Sequence, residues 1–488
     1  MTATRAASGF ASADKFSAPG GYQLLPFRFL RLDGPRYVAT NLVGEHLVLP
    51  RDVLVDLIEG RLASSHPRYA DLQSRHFFMT HQSDVAMELL ATQWRTKLEP
   101  LSDFTSLHLF VVTLRCDHSC PYCQVSRVSE DKRAFDMTPE MADRAVDLLF
   151  QSPSPQLKVE FQGGEPLLNF PLIRRVVEAV QARNAVSPRD IRFVIATNLA
   201  HLSDEVLSFC REHHVYLSTS LDGPANIHDA NRPRPGGDSH ARVVSGVERA
   251  RHVLGPDAVA AVLTTTRRSL TSPGAIVDEY VRLGFHNIFL RWLSPFGFAA
   301  RSRDAVGYDP AAWQDFYVRA LRHVIAINRG GYELREESAG IILRKLLTPY
   351  ASGYVDLQSP TGLGISVVAY NYDGDVYLSD EGRMLAETGD RTFRVGNVLT
   401  HTYEEIFYSE RLQDLVLDTM TEAIPQCTDC AFQPVCGTDP VFHHATQGDL
   451  IGHRPTSDFC RRNMFVMKHL VTLLEDDPHA AAVLRSWV

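Results

Sequence analysis

Three closely spaced cysteines are the first residues of this chain whose pattern could do chemistry. Cys116, Cys120 and Cys123 have the spacing C-x3-C-x2-C in "TLRCDHSCPYCQVSR", directly after the apolar run "LHLFVV". Thiolates are soft ligands that favour zinc or an iron–sulfur cluster. Three thiolates leave one coordination position free, unless His118 or a distant residue completes a zinc site. The spacing therefore predicts a metal centre and by itself leaves zinc and iron open.

A second group of four cysteines lies near the C-terminus in the spacing C-x2-C-x5-C-x23-C: Cys427, Cys430, Cys436 and Cys460. Four thiolates suit one complete [4Fe-4S] cluster or a four-thiolate zinc site. Neighbouring histidines are alternative ligands, although such residues more often lie in polar loops: His443, His444 and His453. Cys210 stands apart from both groups, and the apolar helical face of "VLSFCREHH" predicts a buried free thiol there.

Length, charge and hydropathy limit the classes of protein that this chain could represent. Its 488 residues predict two or three domains. With 49 Lys and Arg against 58 Asp and Glu, the net charge of −9 disfavours a nucleic-acid partner or an anionic membrane surface. No apolar run reaches the roughly 20 residues that span a bilayer, and the N-terminus lacks an apolar signal core. We therefore expect a cytoplasmic protein whose clustered cysteines bind metal rather than form disulfides.

The elements that must position these cysteines fall into four stretches. Residues 1–20 are rich in Ala, Ser and Gly without periodicity, which predicts a disordered tail. In 21–100, short β-prone segments precede the helical pattern "PRDVLVDLIEGRL", which indicates a small α+β domain. In 101–303, apolar strands alternate with amphipathic helices through about six repeats, as in the βαβ units of a parallel sheet. Residues 304–488 are predicted to form helices, then the β-like segment "GISVVAYNYDGDVYLSD" and the second cysteine group.

The first cysteine group and its surroundings resemble the radical S-adenosylmethionine (SAM) enzymes. Their signature C-x3-C-x-aromatic-C follows the first strand of a partial (β/α)6 barrel, and Tyr122 fills the aromatic position, which lies near the adenine in the family. The resemblance implies that the three cysteines hold a [4Fe-4S] cluster and that SAM occupies its open iron. It also implies reductive cleavage of SAM to a 5′-deoxyadenosyl radical that abstracts a substrate hydrogen, while the protein supplies position and excludes water.

Further motifs in chain order extend this resemblance to the contacts with SAM. "FQGGEP" resembles the family's Gly-Gly-Glu-Pro turn, whose glycines let the backbone approach SAM and whose glutamate accepts from its ammonium. The preceding glutamine resembles the sulfatase-maturase branch, and in "IATNLA" Leu199 replaces the glycine of the family's Thr-Asn-Gly turn. The SAM contacts implied by these two motifs are Gln162, Gly163, Gly164, Glu165, Pro166 and Asn198.

The stretch "STSLDGPANIHDANR" resembles the end of the family's fourth strand. It implies that Ser220 contacts the SAM carboxylate or ribose and that Asp222 shapes the turn. Either Arg232 or Arg242 is expected to pair with the SAM carboxylate. Leu293, after the sixth strand, falls where this branch packs an apolar side chain on adenine, and a core leucine is the alternative interpretation.

The C-terminal cysteines resemble the SPASM extension of radical SAM peptide maturases in their C-x2-C-x5-C core. A full SPASM domain has more cysteines and two clusters, whereas Ser379 stands at an expected cysteine and none follows shortly after Cys436. We therefore expect a reduced SPASM- or twitch-like domain with one auxiliary [4Fe-4S] cluster for electron transfer or structure, zinc being the alternative. Nearby candidates for an acid–base residue are Asp373, Asp375 and Asp380, although Asp-Gly turn chemistry explains the first equally well.

The whole-chain pattern resembles the B-type radical SAM maturases of the His-Xaa-Ser peptide system. This resemblance implies modification of a ribosomally synthesised precursor peptide with His-Xaa-Ser repeats. The implied partners are a second radical SAM protein, a small partner protein and a reductase or flavodoxin-type electron donor. The unit at 21–100 is compatible with a winged-helix-like domain that captures a peptide as an added strand, and a structural cap on the barrel is an equal alternative.

Two other functions compete with this interpretation. An enzyme that resembles the anaerobic sulfatase maturases would oxidise Cys or Ser to formylglycine, but the missing SPASM cysteines count against it. A non-enzymatic zinc-binding peptide adaptor would contain zinc and negligible iron. That adaptor would leave the Gly-Gly-Glu-Pro turn at 163–166 unexplained.

Overall fold

The computed structural model describes residues 21–80 and 84–488, so the predicted disordered tail at 1–20 lies outside the described residues. No helix in the described part of the chain is long and apolar enough to cross a bilayer. The elements follow one another in three groups: an N-terminal group, a strand–helix repeat and a C-terminal group.

The N-terminal group comprises β1 (Tyr22–Leu24), β2 (Phe27–Asp33), β3 (Arg36–Asn41), β4 (His46–Pro50), α1 (Arg51–Ile58), α2 (Tyr69–Ser74), β5 (Phe78–Thr80) and α3 (Val85–Leu98). Strands β2, β3 and β4 form an antiparallel sheet, and β1 pairs with β5. Alternating residues divide the faces of the larger sheet. Ala39 and Leu49 pack into a core within this group, whereas Val38 and Val48 join the main core of the molecule. The group is therefore a small α+β unit packed against the rest of the chain.

The strand–helix repeat comprises β6 (Leu107–Thr113), α4 (Pro139–Leu149), β7 (Gln156–Gly163), α5 (Phe170–Asn184), β8 (Asp190–Ala196), α6 (Asp204–Glu212), β9 (Val215–Ser220), α7 (Ala225–Asn231), α8 (Ser239–Leu254), β10 (Val259–Thr264), α9 (Pro273–Arg282), β11 (Asn287–Ile288), β12 (Leu290–Arg291), α10 (Gly297–Arg301) and α11 (Arg303–Val306). Capping residues begin several of these helices. The side chain of Thr138 accepts from the Met141 N–H ahead of α4, and that of Ser203 accepts from the Val206 N–H ahead of α6. The apolar faces of these helices then pack on the sheet.

Strands β6, β7, β8, β9, β10 and β12 pair in parallel and in chain order. This arrangement confirms the predicted α/β fold, as a parallel sheet that is open rather than closed and is compatible with a partial barrel. β6 lies in the interior of the sheet and is buried along almost its whole length. The loops after these strands share one edge of the sheet, where parallel α/β folds carry their sites.

The C-terminal group comprises α12 (Pro310–Arg329), β13 (Arg335–Glu336), α13 (Glu337–Leu347), β14 (Val367–Tyr370), β15 (Asp375–Tyr377), α14 (Asp380–Ala386), β16 (Arg394–Asn397), α15 (Tyr403–Phe407), α16 (Glu410–Asp418), α17 (Pro440–Gln447), α18 (Asp458–Asp476) and α19 (Pro478–Ser486). β14 pairs in parallel with β6, and β15 and β16 continue antiparallel, which makes one nine-stranded sheet. The sheet thus crosses the domain boundary expected near residue 303, and it brings the segment before α14 beside the loop that carries the first cysteines.

Candidate active site

The first cysteine group lies on the loop that follows β6. Two backbone bonds hold the loop: the Cys116 N–H donates to the Val128 carbonyl at 3.1 Å, and the Phe298 N–H donates to the Cys123 carbonyl at 2.8 Å. Gly297 has φ +58°, and a Cβ there would lie 2.2 Å from the Gln124 carbonyl oxygen. Glycine therefore lets the start of α10 pack directly on the cysteine loop, which fixes the loop from both sides.

A cavity of about 260 Å³, here called the triad cavity, opens beside these cysteines. Its wall is built from the loop after β6, from the ends of β7, β8, β9, β10 and β12, and from α14. Twelve of the residues singled out from the sequence line it: Cys116, His118, Cys120, Tyr122, Cys123, Gln162, Gly163, Gly164, Asn198, Ser220, Arg232 and Asp380. Three thiols, several polar side chains and exposed turn backbone thus share one space, which suits a polar, charged ligand.

Glu165 lies behind this wall rather than in it. The carboxylate is fully buried and accepts from Thr197 Oγ1 at 2.7 Å, the Asn198 N–H at 2.8 Å and the Leu167 N–H at 3.0 Å. Burial raises the pKa of Glu165 to about 7. In this structure the side chain joins the ends of β7 and β8, and Pro166 is buried in the same turn. Its direct contact with a SAM ammonium stays a prediction from the resemblance.

Sterics explain why glycine occupies both positions 163 and 164 of this turn. A Cβ on Gly163, which has φ +144°, would lie 1.9 Å from the Thr113 carbonyl oxygen. A Cβ on Gly164 would lie 2.3 Å from the Arg115 carbonyl oxygen. The turn therefore presses against the backbone that leads to the first cysteine, and any side chain here would push the cysteine loop away.

Leu199 keeps the left-handed backbone that a glycine would adopt, with φ +62°. Its side chain is buried, and a Cβ on Gly246 of α8 would lie 2.7 Å from its Cβ. The glycine on the facing helix makes room for the leucine, and packing offsets the unfavourable backbone conformation. The replacement thus retains the hand of the turn that carries Asn198.

Asp222, Arg232 and Tyr122 form one buried group at the end of β9. Arg232 donates from Nε to Asp222 Oδ2 at 3.0 Å, and the Tyr122 hydroxyl donates to the same oxygen at 2.6 Å. Arg232 lowers the pKa of Asp222 although burial opposes this. The group ties the cysteine loop to the sheet and sets the Arg232 guanidinium 5.3 Å from the centre of the Tyr122 ring. Arg242 is exposed and pairs with Asp238, outside the cavity.

Leu293 packs on the same part of the cysteine loop. It is partly buried and contacts a small apolar cluster that contains Tyr122 and Ala299, with Cys120 at its edge. Its backbone N–H donates to the Tyr308 hydroxyl at 2.8 Å. The residue lies outside the triad-cavity lining but directly behind the aromatic residue of the cysteine motif, so the structure is compatible with both interpretations of this leucine.

His118 is occupied by protein partners. Its Nδ1 lies 2.8 Å from Asp117 Oδ1 and its Nε2 lies 2.8 Å from Ser239 Oγ. Asp117 also accepts from Asn198 Nδ2 at 2.7 Å. Cys116, Asp117 and His118 lie close enough to share an ion, but the last two already satisfy each other. This arrangement opposes a zinc site completed by His118.

The three candidate aspartates have different surroundings. Asp373 accepts from the Asp375 N–H at 3.1 Å and closes the turn before β15. Asp375 accepts from Arg394 Nε at 2.8 Å and from Asn397 Nδ2 at 2.9 Å. Asp380 lines the triad cavity, and burial together with the neighbouring Glu381 raises the pKa of Asp380 well above its usual range. Only this last aspartate, of the three, reaches the cavity.

Some cavity residues carried no motif signal in the sequence. Arg291 at the end of β12, Glu160 on β7 and Met384 on α14 all line the triad cavity. Glu160 and Arg291 are polar residues near the carboxyl ends of predicted strands. That position in the sequence was the signal that could have identified them as cavity residues. Met384 reaches the cavity because β14 pairs with β6, a contact that spacing along the chain does not reveal.

The second cysteine group lines a separate cavity of about 270 Å³, here called the four-cysteine cavity. Its other walls are mainly apolar: Leu30, Phe432, Phe459, Met464 and Met467. Arg454 also lines it, and its charge favours the thiolate form of Cys436 and Cys460, while burial raises the pKa of the latter to about 11. Four thiols beside a buried cation fit a tetrathiolate metal centre, because binding would replace the thiol protons.

Two side chains from other parts of the fold support this cysteine loop. Arg28 of β2 donates from Nε to the Thr428 carbonyl at 2.5 Å. Lys345 of α13 donates from Nζ to the Cys436 carbonyl at 3.0 Å. His443 is buried beside Ser457 and Arg454, with Nε2 2.9 Å from the serine hydroxyl. His444 lies 2.7 Å from Asp390 and His453 lies 3.0 Å from the Thr456 hydroxyl, so all three histidines are held by protein groups, and the four cysteines are the thiol ligands that line this cavity.

Comparison with known proteins agrees with this geometry. Residues 110–266 match the family model described as the Radical SAM superfamily, so this stretch is a radical SAM domain. An uncharacterized protein of Methanocaldococcus jannaschii is 34% identical over 131 residues, which are 27% of this chain and 43% of that protein. The chain spans about half the length of the first curated relatives that it matches.

Two solved structures have a similar fold over most of the chain. The structure of anSMEcpe with bound AdoMet and the Cp18Cys peptide is 16% identical with a TM-score of 0.63, and the match covers 78% of this chain and 99% of that one. SuiB of Streptococcus suis bound to S-adenosylmethionine is 14% identical with a TM-score of 0.53, and the match covers 89% and 98%. Both matches cover more of the chain than residues 110–266.

Proposed function

We propose that this protein is a radical SAM maturase that modifies a ribosomally synthesised precursor peptide. The observation that carries the proposal is the triad cavity, in which three thiols of a radical SAM domain face polar strand ends and one partly buried aspartate. The solved structures of similar fold include one with bound AdoMet and the Cp18Cys peptide and one with bound S-adenosylmethionine. The resemblance of the whole chain to the His-Xaa-Ser maturases supports repeats of that type in the substrate.

Within this proposal, Cys116, Cys120 and Cys123 hold a [4Fe-4S] cluster with one iron left for SAM. When bound, the cluster and SAM supply an electron and the 5′-deoxyadenosyl radical. The chain itself binds and orients: the turn at 163–164 offers backbone, Ser220 and Asn198 offer hydrogen bonds, and Arg232 offers a fixed cation for the SAM carboxylate. These groups hold the cosubstrate next to the cysteine loop and exclude water.

Asp380 is the proposed proton acceptor on the peptide side. It lines the triad cavity from the start of α14, and its raised pKa means that its ionised form takes up a proton more readily than an exposed aspartate. Asp380→Asn should keep 5′-deoxyadenosine formation but lose peptide product. Equal product yield by mass spectrometry would contradict this role.

For the four-cysteine cavity we propose one auxiliary [4Fe-4S] cluster rather than zinc. Tetrahedral zinc with Zn–S bonds of about 2.3 Å would bring sulfurs to about 3.8 Å from one another. The described residues include one group of three possible ligands whose atoms all lie within 4.8 Å, at 116–118, so the sulfurs of the second group are spaced more widely. Four protein ligands leave no open iron, which supports a role in electron transfer or structure.

The N-terminal group is proposed to bind the precursor peptide. A three-stranded antiparallel sheet followed by helices suits addition of an extended peptide at a sheet edge. Strand β2 is such an edge, and Phe29 on it is 44% exposed. Phe29→Asp should lower precursor affinity in fluorescence anisotropy, whereas Val186→Asp, at an exposed residue of the strand–helix repeat, should not. Equal affinities of the two variants would leave the N-terminal group as a structural cap.

The main test is turnover by the whole protein after anaerobic reconstitution. We expect 5′-deoxyadenosine under reductant and SAM, together with a mass change in a His-Xaa-Ser precursor that is encoded nearby. Failure of the mass change with a precursor that binds would contradict the peptide substrate. Formylglycine in a Cys- or Ser-containing sulfatase peptide would favour the sulfatase-maturase alternative, and zinc without iron would favour the adaptor.

A further inference from the structure

Two arginines with little exposure lie close to the loop that carries the first cysteines. Arg232 contacts Asp222 at 3.0 Å, so a carboxylate neutralises its charge. Arg383 of α14 is only 1% exposed, and the one acid within 4 Å of it among the described residues is Glu387, at 3.7 Å. The second arginine therefore brings a buried positive charge to this loop with little compensation from the protein.

The Arg383 guanidinium lies beside the end of the cysteine loop. Its Nη1 donates to the Val125 carbonyl at 3.3 Å, two residues beyond Cys123. Val125 lines the triad cavity, as does Met384, which follows Arg383 in α14. Arg383 itself is not among the lining residues. The guanidinium is thus behind the wall of the cavity, close to the third cysteine and out of contact with the cavity space.

The side chain of Arg383 is only partly satisfied by the protein. Its Nε has no hydrogen-bond partner within the described part of the chain. Arginine is almost never fully buried unless it is paired, and buried donors without an acceptor are rare. Burial lowers the pKa of Arg383, while negative charge on Glu387, Asp380 and Cys123 opposes this. The sulfur of Cys123 is therefore one of the groups whose charge acts on this arginine.

The two acids near Arg383 are themselves poor counter-charges. Burial raises the pKa of Glu387. Burial and the neighbouring Glu381 raise the pKa of Asp380 well above its usual range. Both carboxyl groups thus carry less negative charge at a given pH than exposed acids do. The cysteine loop is the remaining place near Arg383 where a permanent negative charge can form.

We propose that Arg383 is the buried counter-charge of the [4Fe-4S] cluster on Cys116, Cys120 and Cys123, and that it raises the reduction potential of this cluster. The inference rests on the proposed function, because it needs that cluster. A cluster held by three thiolates is a net anion and gains one further negative charge when the donor passes one electron to it. A nearby positive charge stabilises the reduced form more than the oxidised form. Such an effect acts through the protein interior without contact with sulfur.

The test is a redox titration of the full-length, reconstituted protein followed by EPR of the reduced clusters. The triad cluster is identified as the signal that changes when SAM is added. Arg383→Gln keeps a donor for the Val125 carbonyl but removes the charge. It should lower the equilibrium constant for reduction of that cluster about tenfold, which is about 59 mV for one electron. A potential equal to that of the wild type would overturn the proposal.

Two comparisons separate charge from packing. Arg391→Met is the matched control, since that arginine is 63% exposed beside Asp375, and it should keep the wild-type potential. Arg383→Lys keeps the charge and should restore most of the potential. If the lysine variant has the same low potential as the glutamine variant, the shift comes from packing, and the proposal is wrong.

A paired replacement covers the case in which Arg383→Gln does not fold because Glu387 is left buried without its cation. The variant with Arg383→Gln and Glu387→Gln removes both members of the pair. Its potential is compared with that of Glu387→Gln alone, and the same tenfold loss is expected. The signal of the four-cysteine cavity is an internal control, because Arg383 does not line that cavity. Equal shifts of both signals would contradict a local effect of this charge.

The wild-type protein tests the proposed function separately. If it shows no cluster that responds to SAM, the maturase proposal falls, and the role of Arg383 falls with it. If the wild-type protein forms the cluster, cleaves SAM and modifies the peptide, but loss of the Arg383 charge leaves the potential unchanged, only the present inference falls.

Discussion

The triad cavity and the four-cysteine cavity have similar volumes, about 260 and 270 Å³, but the wall of the first is polar and the wall of the second is mainly apolar. The first is bordered by charged and hydroxyl side chains from the ends of five strands. The second is bordered by methionine, leucine and phenylalanine side chains with one buried arginine. The two cysteine groups also differ in origin. One loop supplies the three cysteines of the triad cavity, whereas two separate segments supply the four cysteines of the other cavity.

In both cavities, the number of thiols matches the polarity of the surrounding wall. Three thiols leave a place for a ligand, and a polar wall can bind a charged ligand at that place. Four thiols leave no such place, and an apolar wall keeps water and solutes away from the metal, which suits electron transfer or structure. Each prediction below breaks or sharpens this contrast.

The largest effect is expected from removal of the three-thiol set. The triple replacement Cys116→Ala, Cys120→Ala and Cys123→Ala should abolish 5′-deoxyadenosine formation and remove about four irons per chain. Cys210→Ala is the control, because that thiol is buried in α6 away from both cavities. Full turnover by the triple variant in an anaerobic assay would sink the radical SAM assignment.

A smaller effect on SAM cleavage is expected from the four-thiol set. The double replacement Cys427→Ala and Cys430→Ala should also remove about four irons, while deoxyadenosine formation without peptide continues. Iron, sulfide and zinc analysis measures this directly. Unchanged iron with loss of one zinc would replace the auxiliary cluster by a structural zinc site.

The two candidate arginines allow a comparison of a cavity residue, Arg232, with a surface residue, Arg242. Arg232→Met should raise the Kd for SAM at least about tenfold, because a charge-assisted bond is lost. It should also lower the melting temperature, since Asp222 would stay buried without its cation, at a cost of about 3–5 kcal/mol. Arg242→Met should leave SAM binding unchanged. Equilibrium dialysis with both variants decides between them, and a larger effect of the exposed arginine would refute the assignment.

The smallest effect concerns Glu336, a buried residue that connects β12 with the start of α13. Glu336 is buried, accepts from the Leu290 N–H of β12 at 3.1 Å, and precedes α13, which carries Lys345. Burial raises the pKa of Glu336 from 4.5 to about 7. The folded state therefore holds the Glu336 proton more tightly than the unfolded chain does. For this reason the free energy of unfolding should fall as the pH rises from about 4.5 to about 7.

The matched replacements isolate this contribution. Glu336→Gln should flatten the pH dependence of stability between about pH 4.5 and 7, because the amide cannot ionise. Glu410→Gln, at an exposed position of α16, should keep the wild-type slope. Urea unfolding at several pH values gives the comparison. Parallel slopes for the glutamine variant and the wild type would show that Glu336 ionises normally in the fold.

Local pattern determined a large part of this protein. The spacing of Cys116, Cys120 and Cys123, the turn at 163–166 and the alternation of strands and helices lie on short continuous stretches, where residue type and period act directly. They predicted a parallel sheet with the cysteines at the carboxyl ends of its strands, and the structure confirms the parallel sheet.

Tertiary structure decided what depends on segments far apart in the chain. Pairing of β14 with β6 brings Asp380 to the triad cavity and leaves Asp373 and Asp375 in a turn and an ion pair. Burial beside Asp222 selects Arg232 over Arg242 as the cavity residue, although both follow the same motif. The burial of a residue and the charges around it are set only when segments that are far apart in the chain pack together.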